Sequence, residues 1–245
     1  MINCPDSKNY AFTICKSLEE KSKDNEVTIW SLDSLDTTNA DSQSLVTFKP
    51  PMKSIHSVSV SAGPDSEHIC LAGKDHQIRD VIIIYKFTEL IKFQKVEIVA
   101  RQLADFETYF VKFSSCVPNS IIACGKENIK FYKIKSGHLP GQSVLLNNTA
   151  RGKVFNNAIV QYTSTTEKGE KKPTFVYVTS MDGLLYYVNY HTRQVEKIIQ
   201  IHEDRITGLV VAPNNEFYVT ASQGGILRIW STDFETLKSE VNTGN

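Results

Sequence analysis

The chain has 245 residues, with 27 Lys+Arg against 27 Asp+Glu and a 41% hydrophobic share that includes 10 Tyr and 12 Phe. Such a chain can bury a sizeable core as one large all-β domain or two small ones. The balanced charge gives no electrostatic footprint for nucleic acid, and the longest apolar runs, Val81 to Tyr85 and Leu184 to Val188, are far too short to span a bilayer.

In chain order, the first predicted pair of strands is Tyr10 to Cys15 and Glu26 to Trp30, joined by a polar loop through Asp24-Asn25. Glu67 to Gly73 and Val81 to Lys86 follow, with a longer turn at Lys74 to Asp80. Phe87 to Lys95 reads as a loop between two strands. Ile121 to Gly125, a turn at Lys126-Glu127-Asn128, and Ile129 to Ile134 continue the series. Phe175 to Ser180, the turn Met181-Asp182-Gly183 and Leu184 to Tyr190 come next, Asp-Gly suiting a turn that needs positive φ. The last unit opens at Ile201-His202 and runs to Val211. It turns at Ala212-Pro213-Asn214-Asn215, pairs Phe217 to Ser222, turns at Gly224-Gly225, and ends with Ile226 to Ser231.

Aligned on the closing position of the third strand, the units fall at Trp30, Tyr85, Tyr132, Val188 and Trp230, at intervals of 42 to 56 residues. The excess length sits in the polar stretches Ser34 to Gln43 and Thr163 to Lys172, where insertion costs little. The last unit resembles a WD40 repeat: a His before the first strand, a Pro-Asn turn, a Thr-Ala-Ser strand end and a closing Trp. The expected fold is therefore all-β, a WD40-type β-propeller of about five four-stranded blades, roughly 1–50, 51–104, 105–150, 151–200 and 201–245. In such a blade a His, a Ser or Thr, an Asp and the Trp form a buried hydrogen-bonded set. The last unit keeps His202, Ser222 and Trp230 with Gly224 in the Asp position, and the preceding one keeps Asp182 with Val188 in the Trp position. Apolar packing is expected to hold most blades.

Few residues suggest chemistry. Cys4, Cys15, Cys70, Cys116 and Cys124 are odd in number, scattered and free of any C-x-x-C pair, which argues against a disulfide framework or a structural zinc site. They read as small apolar residues of a reducing cytosol. His56, His68, His76, His138, His191 and His202 show no H-x-x-x-H or H-E-x-x-H spacing. There is no G-x-S-x-G, Walker A or Rossmann glycine pattern. Ser136 to Gly141 is no phosphate cradle, because no helix is expected after it, and Glu167 to Lys172 reads as a solvated mixed-charge loop. Met1 to Asp6 has neither the basic nor the apolar region of a signal peptide, so the Asn147-Asn148-Thr149 sequon is read as chance. The reading is a soluble, intracellular protein with no catalytic residues, cofactor or metal, and with partner-binding residues unassigned.

A narrower resemblance lies in Cys124-Gly125-Lys126-Glu127-Asn128-Ile129-Lys130-Phe131-Tyr132 continuing to Gly137-His138-Leu139-Pro140-Gly141. Ala150 to Phe155 and Leu227 to Phe234 carry it further. Together these look like the WD repeat-containing protein 90 family, also called proteome of centriole 16, over residues 96 to 241. The resemblance implies a microtubule-associated scaffold of centrioles, basal bodies or cilia, with microtubule-associated proteins or tubulin as partners. The family's additional N-terminal domain, which contacts the microtubule wall, has no counterpart in this chain. The alternative is a general WD40 adaptor of a soluble cytoplasmic complex. An incomplete ring is also expected, because Pro5-Asp6-Ser7-Lys8 reads as a turn and leaves the first blade without an innermost strand.

Overall fold

A computed structural model describes residues 2–3, 10–16, 25–31, 44–61, 67–164, 171–212 and 215–244. The expected turns at Pro5 to Lys8 and Pro213-Asn214, the insertion Ser34 to Gln43, Cys4, Asp24 and Glu167 to Glu170 lie outside the described residues. Among the described residues, twenty strands form five antiparallel four-stranded sheets, each in simple meander order.

Sheet 1 holds β1 (Ile2–Asn3), β2 (Tyr10–Lys16), β3 (Asn25–Ser31) and β4 (Ser44–Phe48). Sheet 2 holds β5 (Ser54–Val60), β6 (His68–Lys74), β7 (Asp80–Lys86) and β8 (Ile98–Leu103). Sheet 3 holds β9 (Thr108–Phe113), β10 (Ser120–Gly125), β11 (Ile129–Lys133) and β12 (Gly141–Ser143). Sheet 4 holds β13 (Phe155–Ser164), β14 (Lys171–Ser180), β15 (Leu184–Asn189) and β16 (Val195–Gln200). Sheet 5 holds β17 (Ile206–Val211), β18 (Tyr218–Ser222), β19 (Ile226–Trp230) and β20 (Leu237–Asn242). The chain divides into two compact units, Met1–Ile121 with Tyr132–Gly141, and Ile122–Phe131 with Gln142–Asn245.

Three expectations are corrected. Sheet 1 does have an innermost strand: Ile2 pairs with Phe12 and Asn3 with Ala11, a ladder too short to leave any periodicity in the sequence. Phe87–Phe93 is a helix, α1, closed by Gln94 in the left-handed conformation. Its Phe87 and Leu90 are buried and Ile91 packs beside them, so one short apolar stripe against sheet 1 and sheet 2 stabilises a segment with no side-chain cap. Finally, Thr163 and Ser164 pair with Lys172 and Lys171, so the strands of sheet 4 extend into the stretch expected to be a loop.

The repeat extends to backbone irregularities. A register shift falls immediately before the closing residue at Ile29/Trp30, Ile84/Tyr85, Tyr187/Val188 and Ile229/Trp230. A second falls near the start of the first strand pair at Ile55/Ser57, Phe155/Asn157 and Ile206/Gly208. Bulges at matching positions bend these four sheets alike and strengthen their twist.

Two closing tryptophans keep a polar partner. Trp30 Nε1 donates to Thr13 Oγ1 at 2.9 Å, and Trp230 Nε1 donates to Thr220 Oγ1 at 2.9 Å. Each Thr stands two residues beyond the residue paired with its Trp, Ala11 or Tyr218. Where the closing residue is Tyr85 or Val188, that position holds Leu71 or Val178 instead. Indole and hydroxyl are lost together, because either alone would leave a buried polar group at a cost of about 1–3 kcal/mol.

His202 completes the set in sheet 5, its Nε2 lying 2.7 Å from Thr220 Oγ1. Thr220, not the expected Ser222, is the bridging hydroxyl; Ser222 Oγ is buried with no partner among the described residues. At Gly224 a Cβ would stand 2.5 Å from Asp204 Oδ2, so the linker carboxylate occupies the space of the missing Asp side chain. His202 Nδ1 is nonetheless buried without a hydrogen-bond partner among the described residues. In sheet 4, Asp182 instead accepts from Ser180 and pairs with Lys153.

Trp230→Ala is expected to cost about 3–5 kcal/mol in denaturant unfolding. Trp30→Ala should cost less, because Trp30 is partly exposed while Trp230 is buried; equal losses would contradict this packing. Burial, and then the charge of Arg228, lower the His202 imidazole below its ordinary 6.5. The unfolded chain takes up a proton that folded His202 resists, so its contribution is present above about pH 6.5 and lost as pH falls below it. Melting temperature against pH should therefore fall less steeply below pH 6.5 in His202→Gln than in the parent, and identical slopes would refute the assignment.

Candidate interaction surface

Within the first unit, the end of sheet 2 where β5 starts gathers a polar cluster, joined by the start of β9. It draws on three turns that are far apart in sequence. Lys74 closes β6, and its Nζ lies 2.9 Å from Asp80 Oδ2 at the start of β7 and 3.6 Å from Glu107 Oε1 before β9. Asp80 also accepts from the Thr108 backbone N–H at 3.0 Å. His56 bridges Ser54 Oγ at 3.1 Å and the Thr108 carbonyl at 3.0 Å. Its ring stacks on Tyr109 with centroids 5.9 Å apart, and the Tyr109 hydroxyl hydrogen-bonds Glu107.

In the adjoining turn Asp75 is buried, accepting from the Gln77 and Arg79 backbones and from Arg79 Nε and a terminal nitrogen, with Arg101 3.6 Å away. These bonds outweigh burial and hold its carboxyl below the usual carboxylate range. The bond to Asp80 raises the Lys74 ammonium above its ordinary value. Burial and then Glu107 raise the Tyr109 phenol. Each shift secures the ordinary charge state, so the cluster holds neither an activated amine nor a phenolate. Its chemistry is a pre-ordered mosaic of charge and aromatic rings, suited to a protein partner with complementary charge.

The six histidines are not brought together. His56 joins this cluster, His202 the buried set, and His191 meets the Pro173 carbonyl at 3.1 Å. Among the described residues no three His, Cys, Asp or Glu side chains converge to hold a metal. Cys70 and Cys124 are buried, and burial pushes both thiols up, away from thiolate character. No described helix is long and apolar enough to cross a membrane.

Sequence reasoning did not find the cluster. Residues 54, 56, 74, 80, 107 and 109 share no motif, and in the sequence only Lys74 to Asp80 reads as a turn. A second exposed feature follows α1, where Phe93, Val96 and Ile98 are 68%, 49% and 48% exposed.

In comparison with known proteins, no family model matches the chain. It is 31% identical over 189 residues to Centriole proteome protein 16 of Chlamydomonas reinhardtii, covering 71% of this chain and 9% of that protein. It is 23% identical over 198 residues to WD repeat-containing protein 90 of Xenopus tropicalis, covering 74% of this chain and 11% of that protein. The Mus musculus protein of the same name is 20% identical over 213 residues, covering 79% and 11%. The chain thus spans 9–11% of the length of these curated relatives. The crystal structure of the Myceliophteria thermophila Cps50 (Swd1) β-propeller domain overlaps with a TM-score of 0.63 at 12% identity, over 99% of this chain and 73% of that one.

Proposed function

We propose that this five-bladed WD40-type β-propeller chain, a relative of Centriole proteome protein 16 and WD repeat-containing protein 90, is a non-catalytic scaffold that binds proteins in a ciliary or centriolar microtubule assembly. The 31% identity over 189 residues to a protein named for the centriole proteome carries the reading. The site supports the non-catalytic half: the Lys74 ammonium and the Tyr109 phenol are both raised and so held in their ordinary charge states, whereas catalysis needs groups tuned toward proton transfer.

The partners in this reading are tubulin or microtubule-associated proteins, reached through the Lys74, Glu107, Tyr109 and His56 surface. The test is to express the tagged chain in ciliated cells. Signal at centrioles, basal bodies or cilia is expected, and diffuse cytoplasmic signal would favour a general adaptor instead. Tyr109→Ala combined with Lys74→Glu should reduce that signal severalfold while moving the melting temperature by only a few degrees, because both side chains are partly exposed. Unchanged recruitment in a folded double variant would remove this surface from the reading.

A further inference from the structure

We infer that Ile78, on the turn between β6 and β7, is an apolar anchor held ready for a protein partner that offers an aliphatic pocket with a carboxylate at its rim. The inference rests on the reading of the adjoining Lys74, Glu107 and Tyr109 surface as protein-binding, and it names the chemistry that binds there. It starts from a backbone angle. Among the described non-glycine residues with positive φ, Ile78, at 65°, is the only one branched at Cβ. In this left-handed region Cβ crowds the following carbonyl oxygen, and a branched side chain makes the crowding worse. Phe234, at 59°, is the other large hydrophobic residue in this conformation. It is 2% exposed and stacks on Tyr218 with ring centroids 4.8 Å apart, so core packing offsets its strain. Ile78 has no such offset, being 60% exposed.

Polar bonds hold the angle instead. The buried Asp75 carboxylate accepts the backbone N–H groups of Gln77 and Arg79, the residues on either side of Ile78, at 2.9 and 3.0 Å. The Ile78 N–H donates to the Asp75 carbonyl at 3.0 Å, and the Asp75 N–H donates to the Arg79 carbonyl at 2.9 Å. Arg79 adds two side-chain bonds to Asp75 Oδ2, at 3.0 and 2.8 Å. Strain that the surrounding bonds over-determine in this way is a mark of a binding element. The bonds fix an apolar side chain in solvent, so its backbone is already ordered when a partner arrives.

Charge supplies the rest of the partner's description. Arg79 and Arg101 both face Asp75 Oδ2, at 2.8 and 3.6 Å, and their side chains are 50% and 46% exposed. Two guanidinium groups share one carboxylate, which leaves a surplus positive charge beside Ile78 that complements an acidic group. Leu103, 43% exposed, stands two residues after Arg101 on the same face of β8 and adds apolar surface. Lys74 and Asp80 flank the turn and are paired within the polar cluster, so anchor and cluster form one continuous surface inside the first unit.

The test pairs recruitment of the tagged chain to centrioles or cilia with its melting in vitro. Asn accepts the left-handed angle, so Ile78→Asn should melt level with the parent or a few degrees above it. Its recruitment should fall about tenfold, the scale of a lost anchor. Ile78→Val keeps a branched aliphatic side chain and should retain most of the signal. Arg101→Gln should lower recruitment about threefold without changing the melting, because Arg79 still holds Asp75. Parental recruitment in Ile78→Asn or in Arg101→Gln would overturn the inference. A lowered melting midpoint in Ile78→Asn would do so too, by making Ile78 a structural residue of the turn. Self-association of the purified parent, removed by Ile78→Asn, would overturn it by making a second copy the occupant. In each of these cases the functional reading stands if Tyr109→Ala with Lys74→Glu still cuts recruitment; a parent chain that stays diffuse would sink reading and inference together.

Discussion

A four-stranded antiparallel sheet has two faces and two edges, and alone it can bury neither face. Every described sheet of this chain answers that constraint in one way. The residue closing the third strand goes to the front, and its neighbours one and three places earlier go to the back. Strand alternation does the sorting, because successive side chains point to opposite faces. Bulges at matching positions in sheets 1, 2, 4 and 5 keep their bends alike, which lets one front and one back serve as a reusable interface.

Polar groups inside these interfaces follow a stricter rule. Where an indole N–H enters, a threonine hydroxyl stands two residues along the neighbouring strand to receive it. Where the indole is replaced by Tyr85 or Val188, the hydroxyl gives way to a branched aliphatic side chain. Three tyrosines follow the same pattern in the second unit: Tyr177 and Tyr187 donate to the Thr232 and Asp233 carbonyls at 3.2 and 2.8 Å, fixing the loop that carries buried Phe234. Tyr186 donates to Thr149 O at 3.0 Å, while the Tyr218 hydroxyl is buried without a partner among the described residues.

The same economy shapes the surface. Ionisable residues at strand ends and across strand pairs are tied to one another, as Lys74 is to Asp80 and Glu107, and Arg228 to Glu240 at 2.7 Å. Groups held this way offer a partner a pre-ordered pattern of charge. That is the physical content of the scaffold reading, and its cellular setting comes from the relatives' names alone.

The sequence by itself determined the class of fold, the five closing positions and, for the two middle strands of each sheet, most limits to within about a residue, because strand alternation, turn chemistry and the recurring aromatic are local signals. It also marked His202 and Trp230 as members of one buried set. Tertiary structure alone decided that Thr220 and not Ser222 joins them, since both hydroxyls sit on the same face and only register against Trp230 separates them. It likewise turned Phe87–Phe93 into a helix, whose single apolar stripe is too short to read without the core beneath it. The Lys74, Asp80, Glu107, Tyr109 and His56 cluster was invisible for a related reason: its members come from three separate turns, and pairing between strands, not spacing along the chain, brings them within hydrogen-bonding distance.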